Sequence, residues 1–340
     1  MVDTPNRYFG IGIESVYGTG VSATHFLPAT DDSISEEIEF VRAQTVEQMW
    51  PTGSAVGKYK CSGTISGLVD KQFSGLFEVL AAILGSWTEA NPGTGLTYTY
   101  TYDGYNVTDT LKSLTILKAP AVYDGAATKL SQYVGCGVKS ITFEFEAGGE
   151  VKYSFDFFGK TVNKGDTSTP SYLTDPIPAT GNMVTVKAGA AGAGPSGTTI
   201  AKVRKGSITI SLGMDEDAFA LGSGFLYGLV RNGGYEVTGE LEILFDNWDH
   251  VEKFWGAADV TTPQTSQTII GLYILIHGSA IDVNGNYGIS FDIPAVQYET
   301  WEAGLTGMDK IMQTIVWHAD YLAADSTGLT VVVTSDENLP

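Results

Sequence analysis

Cysteine is almost absent: the 340 residues hold two, Cys61 and Cys136, with no CxxC pair and no companion histidines. That excludes a disulfide or zinc framework as the organising device. Positive charge is scarce as well. Lys and Arg number 19 against 39 Asp and Glu, a formal net charge of −20, so electrostatics oppose binding to a phosphate backbone and argue against sequence-specific DNA recognition. The same charge suits a conduit that nucleic acid crosses without sticking, and it equally suits plain solubility. Long apolar runs are missing too. The longest, residues 269–276, falls far short of the roughly 20 residues that span a bilayer. The opening MVDTPNRYFGIGIES has no basic segment followed by an apolar run, which predicts a chain made and kept in a cytoplasm. Charged residues make up only 17%, fewer than a monomeric enzyme usually carries.

What is present points to β-structure. The 41 glycines and 17 tyrosines suit many short strands joined by tight turns, and surfaces that become buried between subunits. The length allows two domains, each with its own core. A duplication supports that division. Residues 33–70 run from Ser33-Ile34-Ser35 through a loop to GKYKCSGTISGLVD, and residues 207–246 run from Ser207-Ile208-Thr209 through a loop to GGYEVTGELEILFD, so that Tyr59, Gly63 and Asp70 correspond to Tyr235, Gly239 and Asp246. In the second copy Val237, Leu241, Ile243 and Phe245 alternate with Thr238, Glu240 and Glu242, the period of a half-buried strand.

Each copy then turns helical. Phe73, Leu76, Phe77 and Leu80, and later Trp248, Val251 and Trp255, fall at helical spacing, predicting one amphipathic helix per copy laid on a sheet face. Asp70 and Asp246 are expected as the N-caps. Further on, Ile141, Phe143 and Phe145, a Gly148-Gly149 turn, and Val151, Tyr153, Phe155 and Phe157 spell a hairpin. The second copy offers an Asn284-Gly285 turn, and GLTGMD at 304–309 where a longer loop is expected. Residues 161–200, rich in Gly, Pro, Ser, Thr and Ala, read as connector and loops. The expected division is a first domain over 1–160 with an N-terminal arm, this connector, and a second domain over 201–340 with a C-terminal tail. The tail strand, LTVVVTS, is expected to augment a neighbouring domain.

Motifs of chemistry dissolve on inspection. Residues 192–197 spell GxGxxG, but TTIAKVRKGSITI follows, so no helix N-terminus would face a phosphate. Asp282, Asn284 and Asn286 have calcium-loop spacing, yet Tyr287 and Ile293 occupy the positions that need glycine and glutamate. Asp215, Glu216 and Asp217 read as a solvated loop. The histidines, His25, His250, His277 and His318, are scattered, and no nucleophile motif accompanies them. Glu144 and Glu146 share a strand face, as a general acid and base could, but as the solvated side of a strand would too. No catalytic, cofactor or metal residue is therefore assigned. The apolar loops 41–57 and 214–234 stand out instead. Met49, Trp50 and Pro51 in the first, and Phe219, Leu221, Phe225, Leu226, Tyr227 and Leu229 in the second, would either dock on a neighbouring subunit or fold back on their own domain.

The opening YFGIGIESVYGTG, the G-Y-x-x-x-G strand, a helix ending in ILG at 83–85, and SLTI followed by the hairpin over 137–160 together resemble the tail tube proteins of long-tailed phages and related viruses. The resemblance covers most of residues 8–160. It implies a mainly β fold of two tandem tail-tube-like β-sandwich or barrel domains, each with one flanking α-helix. It implies a structural virion protein, not an enzyme, assembled in the host cytoplasm into stacked rings that form the tail channel for the genome. Three two-domain chains would make a pseudo-sixfold ring, with a hexamer as the alternative. Met49, Trp50, Pro51, Phe225, Leu226 and Tyr227 would fill the positions of inter-ring stacking loops. The implied partners are further copies of the chain, tape measure, tail terminator and baseplate or tip proteins, and passing DNA that is not tightly bound. The competing reading is an extracellular tandem β-sandwich adhesin or surface-layer protein, with Tyr98, Tyr100 and Tyr102 as a ligand face.

Overall fold

The period-two residues of the 137–160 hairpin meet where their spacing predicts: Ile141, Phe143, Phe155 and Phe157 are fully buried, and Gly148 takes a left-handed φ of 81° in the turn between them. The computed structural model describes residues 7–44, 46–47, 49–51, 53–90, 97–103, 111–120, 123–124, 127–128, 130–165, 177–200, 202–257, 259–282, 285–304 and 310–336. In the first half these form β1 (Arg7–Ile13), β2 (His25–Leu27), β3 (Ala29–Asp32), β4 (Ser35–Ala43), β5 (Gly53–Leu68), helix α1 (Leu76–Leu84), β6 (Thr88–Ala90), β7 (Tyr98–Asp103), β8 (Leu114–Pro120), β9 (Tyr123–Asp124), β10 (Ala127–Thr128), β11 (Leu130–Glu146), β12 (Lys152–Gly159) and β13 (Thr161–Gly165). The second half supplies β14 (Val184–Ala190), β15 (Thr198–Thr199), β16 (Val203–Met214), β17 (Arg231–Leu244), helix α2 (Asp249–Trp255), β18 (Ile270–Asp282), β19 (Gly285–Gly304), β20 (Met312–Ala319) and β21 (Thr330–Ser335). The fold is mainly β and its pairings are antiparallel.

One order of pairing occurs twice. In the first half β4, β5, β12 and the C-terminal part of β11 lie side by side. In the second half β16, β17, β20 and the C-terminal part of β19 do the same. Opposite Gly63 stands Phe157, and opposite Gly239 stands Trp317. The long strands β11 and β19 carry matching irregularities, after Val138 and after Tyr298, and such bulges bend a strand. Their N-terminal parts accordingly enter backing layers. The first layer runs β2-β1-β8-β11-β13, and the second runs β14-β18-β19-β21-β7-β6.

The two four-stranded units are joined directly. Residues 140–146 of β11 pair with 205–211 of β16, Ser140 opposite Ser211 and Glu146 opposite Lys205, giving an eight-stranded sheet β4-β5-β12-β11-β16-β17-β20-β19. A single apolar cluster runs through both halves, with the Phe143 and Phe291 rings 5.3 Å apart.

Several expectations change at this level. The stretch 161–200 is more than connector, since β13 pairs with β11 and β14 pairs with β18. The tail strand β21 is enclosed within the chain, held by β19 on one edge and β7 on the other. Asp70 caps the turn before the helix: its Oδ1 accepts the N–H groups of Gln72 and Ser74 at 3.0 and 3.1 Å, while α1 itself starts at Gly75 without a side-chain cap. Asp246 takes the Lys202 ammonium at 2.6 Å, and α2 starts without a side-chain cap. Helix α1 is buried on every side rather than amphipathic. Its outer side is closed by tyrosines of other segments, Tyr102 donating to the Phe77 carbonyl and Tyr235 to the Ile83 carbonyl. Within it, buried Glu78 binds His25 and Thr24.

Three outcomes follow from the packing. A Cβ on Gly239 would lie 2.3 Å from both the Ser207 carbonyl oxygen and the buried Trp317 ring, so Gly239→Ala is expected to cost about 1–3 kcal/mol in denaturant unfolding. Gly53, with nothing within 4 Å of such a Cβ, should tolerate the same change to within about 0.5 kcal/mol. In α2, His250 is buried beside the Tyr298 hydroxyl, and loss of water lowers its pKa from 6.5 to about 4. The unfolded chain takes up this proton as pH falls below 6.5 and the folded chain does not. Its contribution is therefore full above that pH and is lost progressively between about 6.5 and about 4. A His250→Gln variant should flatten that part of the melting-temperature profile, by on the order of 1–3 kcal/mol at the acid end.

Candidate assembly surfaces

β5 outruns the sheet it belongs to. Its pairing with β12 ends at Cys61 opposite Gly159, while β4 follows it further, to Ala43 opposite Gly53. Residues 37–43 of β4 and 53–60 of β5 therefore project as a two-stranded ribbon, which is marginal in water when nothing covers it. Among its charged side chains it bares a set of apolar ones: Ile38, Phe40, Val41 and Val56 are exposed, and at the tip Met49 is 96% and Trp50 81% exposed. Pro51 is exposed beside them.

The loop between β16 and β17 behaves differently. It folds back on the root of this ribbon. The Tyr59 N–H donates to the Gly224 carbonyl at 2.9 Å, and the Tyr59 and Phe225 rings lie 5.9 Å apart. Lys58 and Lys60 sit 4.8 and 5.8 Å over the Phe219 ring. Lys60 also bonds Asp217 at 2.5 Å and Lys139 bonds Glu216 at 2.8 Å. The Lys60 ammonium holds the Asp217 carboxyl below the usual carboxylate range. Leu226 is buried with Phe158 and Ala218, so it is a packing residue here and not an exposed one. Leu221, Tyr227 and part of Phe225 remain in the open. The run Asp215-Glu216-Asp217, which by sequence reads as a solvated loop, instead supplies carboxylates to lysines on the first hairpin and on β11.

The eight-stranded sheet has one face on the core and one away from it. Directly opposed residues share a face, so Glu146, Lys205, Glu242, Thr314 and Glu302 form one row across the outer face. Lys152, Glu144, Ser207, Glu240, Val316 and Thr300 form the next. Acidic groups outnumber basic ones in both. Glu144 and Glu146 lie exposed in these rows, as on the solvated side of a strand. Both outer edges of the sheet, β4 and residues 300–304 of β19, are free of a strand partner among the described residues.

The other motifs take up structural duties. Residues 192–197 form the loop between β14 and β15 and are followed by strand. Asp282 pairs with Gly285 and accepts the Thr97 hydroxyl, while Asn284 and residues 305–309 beyond Gly304 lie outside the described residues. Among the described residues no three His, Cys, Asp or Glu side chains cluster to hold a metal. His318 lies beside Glu299 and Asp320 on the sheet. Tyr100 and Tyr102 are fully buried and cannot present a ligand face.

A mainly β chain with a bare apolar ribbon, two open sheet edges and an acidic outer face has the features of a structural, self-associating protein. The chain belongs to the phage tail tube protein family, whose model matches residues 4–319. It is accordingly a structural component of a virion tail, of a family that self-associates into a tube. No curated protein matched the chain.

The burial contrast sets a stability test. Leu226→Ala should cost about 2–4 kcal/mol in unfolding of the isolated chain, whereas Trp50→Ala should change it by less than about 0.5 kcal/mol.

Proposed function

We propose that three copies of this chain close into a ring of six tube units, and that rings stack into a channel through which the genome passes. The observation that carries the reading is the seam between β11 and β16: the chain already joins two like four-stranded units edge to edge, and among the described residues the outer edges of the pair have no strand partner. A head-to-tail contact of this kind repeats until the ring closes, and closure removes every open edge. In this reading the two halves are a duplicated tube domain. The acidic outer face lines the channel and repels phosphate, so DNA slides without being held. The ribbon around Met49, Trp50 and Pro51 docks on the adjacent ring, where exposed aromatic groups supply binding energy. Phe225 and Tyr227 lie at its root and extend the contact, while buried Leu226 supports them from beneath. At its ends the tube would meet tape measure, terminator and tip proteins.

Electron microscopy of the purified chain at rising concentration, with mass photometry on the same sample, tests this. Rings or hollow tubes built from three-chain units are expected. Rings of six chains would keep the tube and sink the two-unit ring, and a monomer at every concentration would overturn the whole reading. The double change Met49→Ser with Trp50→Ser should leave rings intact and abolish tubes.

A further inference from the structure

The internal seam predicts the seam between chains residue by residue. Two alignments are needed, and both are fixed by pairing. On β19, Thr300 holds the place of Ser140 on β11, since each is the first residue past a bulge that follows a core residue opposite an aromatic, Tyr298 opposite Trp317 and Val138 opposite Phe157. On β4, Ser35 holds the place of Thr209 on β16, because Ser35 lies opposite Ser62 and Thr209 opposite Thr238, the residues just before Gly63 and Gly239.

Resting on the ring assembly proposed above, we infer that residues 300–304 of one chain lie antiparallel to residues 33–37 of the next in the register of the internal seam. Thr300 then stands opposite Glu37, Trp301 opposite Glu36, Glu302 opposite Ser35, Ala303 opposite Ile34 and Gly304 opposite Ser33, as Ser140 to Glu144 stand opposite Ser211 to Ser207 within the chain.

Burial and charge favour this register. At the internal seam the core-facing residues Ile141, Phe143, Ile208 and Ile210 are fully buried. At the bare edges the same places hold Trp301, Ala303, Ile34 and Glu36, which are half-buried or exposed. Glu36 brings its own partners, accepting the hydroxyls of Tyr59 at 3.0 Å and Tyr133 at 3.3 Å, which reduces the penalty of covering a carboxylate. A slip of one residue would turn Glu302 toward the core side of the facing strand. A slip of two residues toward the tip of the ribbon would set Glu302 against Glu37, and like charges directly opposite destabilise a sheet.

The test uses the full chain with paired cysteines, Ser35→Cys with Glu302→Cys, and Thr300→Cys with Glu37→Cys as a second matched pair in case the first folds poorly. Opposed strand residues lie within disulfide reach. The native thiols stay silent, since Cys61 and Cys136 are buried and burial pushes the Cys61 thiol up to about 12. Mild oxidation of assembled protein, read on a non-reducing gel, should link chains into a ladder that stops at three. The mismatched pair Glu37→Cys with Glu302→Cys should link at least about fivefold less, its Cα atoms being displaced by two positions. Equal or stronger linking by the mismatched pair overturns the register. So does an absence of linking by both matched pairs in samples that microscopy shows as tubes, which leaves the tube reading standing. A ladder that runs past three with the matched pairs supports the register and counts against the threefold ring. A chain that stays monomeric overturns both.

Discussion

Hydrogen bonding between the end of β11 and the start of β16 is the interaction on which the rest of the molecule depends. It closes an edge that each four-stranded unit would otherwise leave as an open template. Because strand side chains alternate, the register at this seam decides which face of every neighbouring strand looks at the core. It places Phe143 and Ile208 on one side and Glu144 and Ser207 on the other. Everything beyond inherits that choice, from Trp317 packed on Gly239 to the glutamate rows of the outer face.

The recurrence of one pairing order goes with different surroundings for its two parts. Around the first helix the chain adds β6 and β7, and these serve the second backing layer. The loops after β4 and β16 also differ: one lies at the end of a projecting ribbon, the other braces the root of that ribbon, fastened by lysine–carboxylate pairs and the Phe225–Tyr59 contact. A ribbon of two strands gains little stability of its own. Holding it at the root lets it present apolar side chains without twisting away.

Local signals in the sequence carried far. The strand of Val237, Leu241 and Ile243 and the 137–160 hairpin could be read from period and turn chemistry alone, because each depends on near neighbours; the helices could be placed the same way, but not the burial of α1 on every side. The apolar tip at Met49 and Trp50 was legible for the same reason. Non-local facts were not. Nothing in LTYTYTYDGY states that its partner is the VVV of β21, and nothing near Asp70 or Asp246 states that the carboxylates serve a turn and Lys202 instead of a helix end. Leu226 reads as exposed until Phe158 and Ala218 are seen beneath it. An apolar residue looks the same in sequence whether it awaits a partner or has one.

The pairing of β7 with β21 bears on how the chain comes off the ribosome. β7 is made early and β21 follows every other strand, yet Tyr100 stands opposite Val333. The second backing layer therefore stays incomplete through most of translation. Contacts so far apart in sequence are slow to form. A partly made chain would hold the end of β11 bare until β16 emerges, and would lack the strand that seals its own Tyr98–Asp103 segment. Synthesis order thus makes the finished fold a late event.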